Sequence, residues 1–137
     1  MSDIQLSDEL ASAWLAAWTG GGKFGDSCAA DVQYEDPLAH DPLRGLGALE
    51  AHAERLRASL PDLRLERTGS SLSGGAFACI PWRAAGTHKN ASPGLPATNR
   101  FVALHGMHYL ELSDGLIRRG RGFFDLYDAA TQLGILP

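Results

Sequence analysis

The sequence predicts an α+β fold in which a strongly curved, antiparallel or mixed sheet wraps around helices and forms an open cone. Apolar residues recur at helical spacing in two segments before Leu63, and from Leu63 onward the period changes to two. The dipeptide Asp114-Gly115 between two apolar runs indicates a tight antiparallel hairpin. Helices gathered before a run of antiparallel strands are typical of α+β folds.

Composition limits the class of protein and its partners. The 137 residues fit one domain, residues 1–137, which is long enough to bury its own core. A formal net charge of -4 argues against nucleic acid or an anionic membrane as the main partner. Cys28 and Cys79 form no disulfide or zinc pattern, and no segment has the form of a secretory signal or a membrane span. We therefore expect a cytoplasmic protein that binds a small molecule or a second copy of itself.

The first predicted helix covers roughly residues 8 to 19. Ser7 is a candidate cap before it, and three consecutive glycines end it. Trp18 is expected in the core. Trp14 could equally be a core residue or a ligand contact, because an aromatic side chain on a lid helix often faces a pocket.

A second amphipathic helix is predicted over Leu46–Leu60, ended by Pro61. A shorter helix over Lys23–Ala30 is expected before the first strand. His52 shares the apolar stripe of the second helix, and we interpret it as a packed or surface histidine because no second metal-type residue lies one turn away.

The first predicted strand, Val32–Glu35, leads to an acid. Alternate side chains of a strand share a face, so Tyr34 and Asp36 point the same way. Asp36 is therefore a candidate for chemistry at the end of an inward-facing row. Alternatively, it only organises the turn before Pro37, as Asp-Pro pairs often do.

Four antiparallel strands follow: one beginning at Leu63, then Ala76–Ala85, Arg100–Leu112 and Leu116–Phe124. Pro81 cannot donate to a ladder, so we expect a sheet edge or a bulge there, with Trp82 close to the bend. The loop Gly86–Asn99 is long for a hairpin, which favours a segment that closes over a pocket or contacts another subunit. Leu126–Gly134 is expected to form a final short helix.

Both faces of the longest strand are apolar, so one should face the helices and the other a pocket or a partner chain. The row of His105 and Met107 is one candidate for the pocket. The odd positions of the last strand are another, provided that no bulge at its glycines intervenes, and they include Arg121, Phe123 and Asp125. Exposed apolar strands also predict a homodimer.

Several short motifs recur together: Tyr34-Glu35-Asp36-Pro37, Arg44-Gly45, Trp82, Gly86-Thr87-His88, Gly94-Leu95-Pro96-Ala97-Thr98, Asp114-Gly115-x-Ile117, Phe124-Asp125 and Gln132-Leu133-Gly134. Over nearly the whole chain, this set resembles the SnoaL-like polyketide cyclases of the nuclear-transport-factor-2-like (NTF2-like) superfamily. The resemblance implies the cone-shaped fold and a hydrophobic pocket. It specifies the activity less narrowly, because this superfamily hosts cyclases, isomerases, epoxide hydrolases and noncatalytic binders on one cone.

The resemblance also implies roles for particular residues. The cyclases use one aspartate, seven residues before the glutamine of Gln-Leu-Gly, as acid/base in ring closure, and that position is Asp125 here. Ketosteroid isomerases use the aspartate of Glu-Asp-Pro, which is Asp36 here. The isomerases' two oxyanion-binding positions hold Trp14 and Met107 in this chain.

These observations predict a SnoaL-like enzyme that needs no metal or cofactor and acts on a hydrophobic, carbonyl-bearing, polyketide-like molecule by aldol cyclisation or isomerisation. Asp125, beside Phe123 and Phe124, would be the acid/base, because burial among aromatics raises an aspartate's pKa, and Asp36 would assist. His105, Trp82 or, less favourably, His88 could donate hydrogen bonds to the enolate.

Three alternatives remain at this point. Asp125 could be only the N-cap of the last helix, since aspartate is favoured there. The chain could be a noncatalytic module that binds hydrophobic ligands. It could also open epoxides, if Asp36, Arg119 or Arg121, and Asp125 imitate the Asp-Arg-Asp set of the limonene epoxide hydrolases.

Overall fold

The computed structural model describes residues 8–136, so the predicted cap Ser7 lies outside the described residues. The helices are α1 (Asp8–Trp18), α2 (Leu46–Ser59) and α3 (Leu126–Leu133). The strands are β1 (Cys28–Glu35), β2 (Leu43–Arg44), β3 (Arg64–Arg67), β4 (Leu72–Gly74), β5 (Phe77–Thr87), β6 (Phe101–Ser113) and β7 (Leu116–Phe124). Three helices and one sheet make the α+β class that the periodicity predicts.

The sheet is curved, mixed and unclosed. Its strand order is β2-β1-β7-β6-β5-β3, with β4 also paired to β5. Only the β1–β7 pair is parallel among the described strands. That pair corrects one prediction: Lys23–Ala30 is no helix but a 3₁₀ turn at Phe24–Asp26 followed by β1. Pairing of Cys28 with Ile117 draws this segment into the sheet, which local propensity does not reveal.

The hairpin at Asp114-Gly115 is confirmed. The backbone φ angles are 54° at Asp114 and 78° at Gly115, the left-handed pair that the tightest hairpin turns require. Ser113 consequently pairs with Leu116, and β6 and β7 continue antiparallel as far as Gly106 and Phe124.

A bulge does occur in β7, but at Arg118 and not at the glycines. Leu112 pairs with Ile117 and Glu111 pairs with Arg119, which leaves Arg118 as the extra residue. Ile117 is therefore buried on the inner face, while the odd positions after the bulge point to the outer face. This shift reverses the face expected for Arg121 and Phe123.

Pro81 is accommodated in an interior strand. On one edge β5 pairs with β3 up to Trp82 and with β4 from Cys79, so Pro81 lies in the gap between the two short strands. Its carbonyl, which faces that gap, accepts from the Thr68 amide at 3.1 Å. A proline nitrogen has no hydrogen to donate, and here no ladder requires one. In place of the expected sheet edge or bulge, the structure has a gap between the two strands that neighbour β5 on this side.

Helices α1 and α2 cover the inner face of the sheet. The largest fully buried side chains there are Trp14, Tyr34, Phe24, Leu49, Ile80, Leu110, Ile117 and Val32. Between α2, α3, the inner sheet face and the β5–β6 loop, the cone leaves a cavity of about 730 Å³. Among residues 8–136, no helix has the length and apolar character that crossing a bilayer requires.

Candidate active site

The cavity is mostly apolar, and the polar side chains in its wall include His40, Asp41 and Arg55 besides the two groups described next. Leucines from α2, β3, β6 and α3 supply much of its wall, and Trp18 and Trp82 add aromatic surface. One polar group lies at the end of β1, around Asp36 and His52. The other lies where the β5–β6 loop meets the end of α2, around His88 and Ser92. An apolar hollow with a few converging polar groups is typical of a small-molecule site.

Asp36 is the most heavily hydrogen-bonded carboxylate in the described cavity wall. Its Oδ1 accepts from the amides of Leu38 (2.8 Å) and Ala39 (3.0 Å). Its Oδ2 accepts from Tyr34 Oη at 2.8 Å and lies 3.0 Å from His52 Nε2. Burial alone would raise the pKa of Asp36, but the hydrogen bond from His52, the charge of His52 whenever it is protonated, and the hydrogen bonds from Tyr34 and the Leu38 amide outweigh burial and lower it. Asp36 is therefore an anion at neutral pH.

His52 is fixed by that anion. Its side chain is 7% exposed and the Asp36 side chain 6%, so the contact is shielded from bulk water. Because a carboxylate can only accept, Nε2 of His52 is the donor. Its Nδ1 has no hydrogen-bond partner among residues 8–136, yet it is not one of the fully buried unpaired nitrogens found there. The free nitrogen of a cavity-lining imidazole is thus available to a ligand.

A second histidine, His108, is linked to Asp36 through Tyr34. Trp14 Nε1 donates to Nδ1 of His108 at 3.0 Å, and the His108 Nε2 lies 3.4 Å from Tyr34 Oη. Burial lowers the pKa of His108 to about 3, against the opposing charge of Asp36, so the ring is neutral. Since Nδ1 accepts, the proton of neutral His108 is on Nε2 and faces Tyr34.

Tyr34 connects His108 to the carboxylate of Asp36 through hydrogen bonds. Burial, followed by the charge and hydrogen bond of Asp36, raises the pKa of Tyr34 well above its usual value, so its phenol stays protonated. The donors consequently run in one direction, from Trp14 through His108 and Tyr34 to Asp36. Such a fully satisfied buried chain orients its members.

Two indole groups near this chain lack partners. Trp18 and Trp82 both line the cavity, and their buried Nε1 atoms make no hydrogen bond within residues 8–136. Trp18 stacks on His108 with centroids 5.5 Å apart, and the Trp82 ring lies 5.3 Å from the same imidazole. Buried unpaired donors are uncommon and require an explanation, because each one costs free energy.

Four sequence-predicted residues belong to this region. Tyr34, Asp36 and Trp82 line the cavity. Trp14 is fully buried behind His108 and does not reach the cavity surface, which corrects its expected contact with substrate. The reason is its bond to His108, which holds the indole inside the core.

The row of His105 and Met107 faces outward. His105 is exposed, Met107 is 39% exposed and Phe123, its partner across the strands, is 52% exposed. Arg121 lies on the same outer face and contacts Glu35 at 3.0 Å. The expectation that these four residues contact substrate in the cone is therefore corrected. Alternation along β6 places His108, and not His105 or Met107, on the inner face.

Asp125 requires the largest correction. Its side chain is exposed, although the flanking residues Phe124 and Leu126 line the cavity. Its Oδ1 accepts from the Asp128 amide at 3.0 Å, which makes it the N-cap of α3. The capping alternative describes its geometry, because Asp125 leaves the strand just where the helix needs an acceptor.

The expected Asp-Arg-Asp set is not assembled in the described chain. Arg119 lies between Glu35 (3.7 Å) and Glu111 (3.8 Å) on the outer face. Arg121 and Asp125 also point away from the cavity, so only Asp36 of that set reaches it. Within residues 8–136, no three His, Cys, Asp or Glu side chains are grouped so that they could hold a metal ion.

His52 and His108 are the residues that sequence reasoning missed. His52 occupies the apolar stripe of α2, where a histidine flanked by Leu49 and Leu56 faces inward. His108 shares its row with Val102 and Leu110, which are both buried. Periodicity assigned each histidine to a row of side chains but did not show that the His108 row faces the cavity, and no local pattern indicated a partner, because Asp36 lies 16 residues from His52.

Solved structures share this architecture. TsrD from Streptomyces laurentii has a TM-score of 0.81 at 22% identity, with 93% of this chain and 94% of that chain covered. A proposed SnoaL-like polyketide cyclase from Jannaschia sp. CCS1 has a TM-score of 0.82 at 16% identity, with 94% and 92% covered. A protein from Catenulispora acidiphila DSM 44928, described as having a ketosteroid isomerase-like fold and solved with trimethylamine, has a TM-score of 0.79 at 22% identity, with 95% of each chain covered.

At these identities the structural likeness shows the fold alone. No curated protein matches the sequence. The SnoaL-like polyketide cyclase family, however, matches residues 9–133, which span nearly the whole chain and include every residue of the Asp36 network. This chain therefore belongs to the SnoaL-like polyketide cyclase family.

Proposed function

We propose that this protein is a cofactor-independent enzyme that removes a proton next to a carbonyl group of a hydrophobic, polyketide-like molecule, leading to aldol cyclisation or isomerisation. The observation that carries the proposal is the Asp36–His52 pair in the wall of an apolar cavity. A carboxylate that anchors a histidine, whose other nitrogen is free, is a common arrangement for a general base.

His52 is the proton acceptor in this proposal, and Asp36 is a positioning residue. Four donors already occupy the two oxygens of Asp36, so protonating it would sacrifice hydrogen bonds that stabilise its charge. His52 Nδ1 has no such partner within residues 8–136. When Nδ1 accepts the substrate proton, the nearby carboxylate stabilises the resulting imidazolium.

The negative charge that develops on the carbonyl oxygen also needs donors. The indole N–H groups of Trp18 and Trp82 are the candidates, since both rings line the cavity close to His108, but their Nε1 atoms are buried, so a ring must turn before its N–H reaches the oxygen. The centroid of Trp18 is 6.0 Å from that of His52, so one small carbonyl compound could reach both residues.

The cavity would supply the remaining catalysis by orientation. Its volume of about 730 Å³ lies within the usual range of small-molecule sites of roughly 300–1,000 Å³. Its largely apolar wall favours a folded hydrophobic chain or a fused-ring ketone. Holding a carbon and a carbonyl in contact can remove a large part of the barrier to ring closure.

Hydrogen–deuterium exchange tests the proposed chemistry without the natural substrate. 2-Tetralone, an apolar bicyclic ketone, exchanges its α-hydrogens through an enolate, and NMR in D₂O follows this exchange. We expect the protein to accelerate exchange and His52→Gln to reduce the acceleration about 100-fold or more. His105→Gln is the matched control, because that histidine is exposed on the outer face. Equal acceleration by wild type and His52→Gln would exclude His52 as the base.

A noncatalytic binder is the second candidate. The saturated hydrogen bonding of Asp36 favours it, because such a carboxylate can serve simply to stabilise the fold of the pocket. Binding of 2-tetralone with exchange no faster than in buffer would support this candidate over the enzyme.

We also propose that two copies associate through the outer sheet face. Phe77 (49% exposed), Met107 and Phe123 present apolar surface there, and Tyr109 packs 6.0 Å from Phe77 between ring centroids. An apolar sheet face of this kind is commonly covered by a second subunit. The ion pairs of Glu35 and Glu111 with Arg119 would border the contact.

A further inference from the structure

The second polar group in the cavity wall consists of residues that the proposed chemistry does not use. Ser59 Oγ lies 2.8 Å from Ser92 Oγ, and His88 Nε2 lies 3.0 Å from Ser92 Oγ. Ser59, His88 and Ser92 all line the cavity. His88 is 2% exposed and Ser59 is 7% exposed, so the cluster is largely shielded from bulk water.

The backbone determines the tautomer of His88. The amide of Thr98 donates to His88 Nδ1 at 3.2 Å, and Thr98 Oγ1 lies 3.1 Å from the same atom. An amide N–H can only donate, so Nδ1 of the neutral ring is an acceptor and the proton is on Nε2. His88 therefore donates to Ser92 and cannot take a proton from it in this state.

Counting hydrogens then leaves one donor unused. The two serines carry two hydroxyl hydrogens, and one of these lies between the two oxygens. The Nε2 hydrogen of His88 occupies an acceptor position on Ser92. Within residues 8–136 no acceptor is available for the second hydroxyl hydrogen, whichever serine carries it. A buried donor without an acceptor costs free energy unless a ligand or water satisfies it.

Helix α2 sets the distance between this donor and the proposed base. His52 and Ser59 are seven residues apart, which is almost two helical turns, so both side chains lie on one face and about 10 Å apart along the axis. Leu56 lines the cavity between them. The base end offers a free acceptor, His52 Nδ1, beside an anion that already accepts four hydrogen bonds, whereas the serine end offers a free neutral donor.

We infer that Ser59 and Ser92 form a second binding subsite, which donates one hydrogen bond to an uncharged carbonyl oxygen at the far end of an elongated, largely apolar ligand. This oxygen is distinct from the carbonyl that is activated near His52. The inference depends on the proposed function only for the chemistry at the other end, because the subsite itself concerns binding. It specifies a substrate whose second oxygen function lies on the order of 10 Å from the carbon that gives its proton to His52.

Two probes with the same ring system test the subsite: 2-acetylanthracene, which carries a carbonyl oxygen, and 2-ethylanthracene, which lacks it. Fluorescence titration gives both dissociation constants, and the carbonyl stretching frequency of the bound ketone reports the hydrogen bond. We expect wild type to favour the ketone by roughly fivefold to tenfold, the effect of one net hydrogen bond, and to lower its stretching frequency.

The expected effect of each variant depends on how many serine hydroxyl groups it keeps. Ser59→Ala and Ser92→Ala each leave one hydroxyl, so each should keep part of the ketone preference, whereas the Ser59→Ala/Ser92→Ala double variant should lose it and the frequency shift. Affinity for 2-ethylanthracene should stay constant, which verifies that the cavity remains folded. Ser73→Ala, on the exposed strand β4, is the matched control. Equal affinity of wild type for both probes, or an undiminished preference in the double variant, would overturn the subsite without affecting the test of His52.

Discussion

Gly122 leaves the space that the Tyr34 hydroxyl occupies. A Cβ atom built on Gly122 would lie 2.5 Å from Tyr34 Oη and 3.0 Å from the Cβ of Asp36. Gly122 pairs with His108 across the sheet, so its missing side chain opens the inner face where Tyr34, His108 and Asp36 meet. Glycine is thus needed for close approach here and not for an unusual backbone angle.

Gly122→Ala should break the geometry of the Asp36 network. The added methyl group would push Tyr34 from Asp36 and cost about 1–3 kcal/mol of unfolding free energy, as overpacking typically does. We expect slower 2-tetralone exchange together with a lower denaturation midpoint. Gly47→Ala is the control, because a Cβ there meets no atom within 4 Å. Gly47 is the second residue of α2, so alanine there should stabilise by at most about 1 kcal/mol. Similar behaviour of the two variants would contradict the assigned role of Gly122.

Asp36→Asn and Asp125→Asn should differ sharply. Asparagine at 36 removes the negative charge and faces the existing donors with an amide group, so we expect lower stability by about 1–3 kcal/mol or more, and weak exchange activity. Asparagine at 125 remains a good N-cap, so exchange should be unchanged and stability altered by only a few tenths of a kcal/mol. Chemical denaturation and the NMR exchange assay measure both quantities. Loss of exchange in Asp125→Asn alone would restore Asp125 to the mechanism.

His108 should make the fold sensitive to acid. Its pKa is about 3 in the folded protein against 6.5 as the ordinary value, so between these pH values the unfolded chain binds a proton that the folded chain does not. Stability must therefore fall as pH decreases from 6.5 toward about 3. His108→Gln should flatten this part of the curve of unfolding free energy against pH, even if it lowers the whole curve. An unchanged slope would show that His108 is not the responsible group.

The outer face should control association. Met107 and Phe123 lie opposite each other on neighbouring strands, so Met107→Glu or Phe123→Glu places one charge in the proposed contact. We expect each variant to shift the protein toward monomer in sedimentation velocity. Tyr127→Glu is the control, because Tyr127 is 73% exposed on α3 and does not belong to the sheet face. A wild-type protein that is monomeric at all accessible concentrations would refute the dimer.

Much of the fold followed from local chemistry. Helical spacing predicted α1 and α2, and the Asp114-Gly115 dipeptide predicted the β6–β7 hairpin. These features depend on residues a few positions apart, so the local sequence is enough to predict them. The parallel pairing of β1 with β7 did not follow, because it joins segments almost ninety residues apart, as in Cys28 with Ile117.

The candidate site could be predicted from the sequence only in part. Alternation along the first strand placed Tyr34 and Asp36 on one face, and the resemblance to the cyclases marked Asp125. The single extra residue Arg118 then changed which side of β7 faces the cavity, since a shift of one position exchanges the faces of a strand. Asp125 consequently became a helix cap.

What the sequence by itself determined is the α+β class, the family and an inward-facing acid at Asp36. Only the tertiary structure decided which histidines meet that acid, since His52 and His108 reach it from a helix and a distant strand. The physical reason is the distance along the chain over which each feature is decided. Periodicity reflects side chains within one element, whereas hydrogen bonds between elements depend on register and packing. The serine pair at the far end of α2 arises in the same way, because Ser92 reaches Ser59 only after the β5–β6 loop folds back over the cavity.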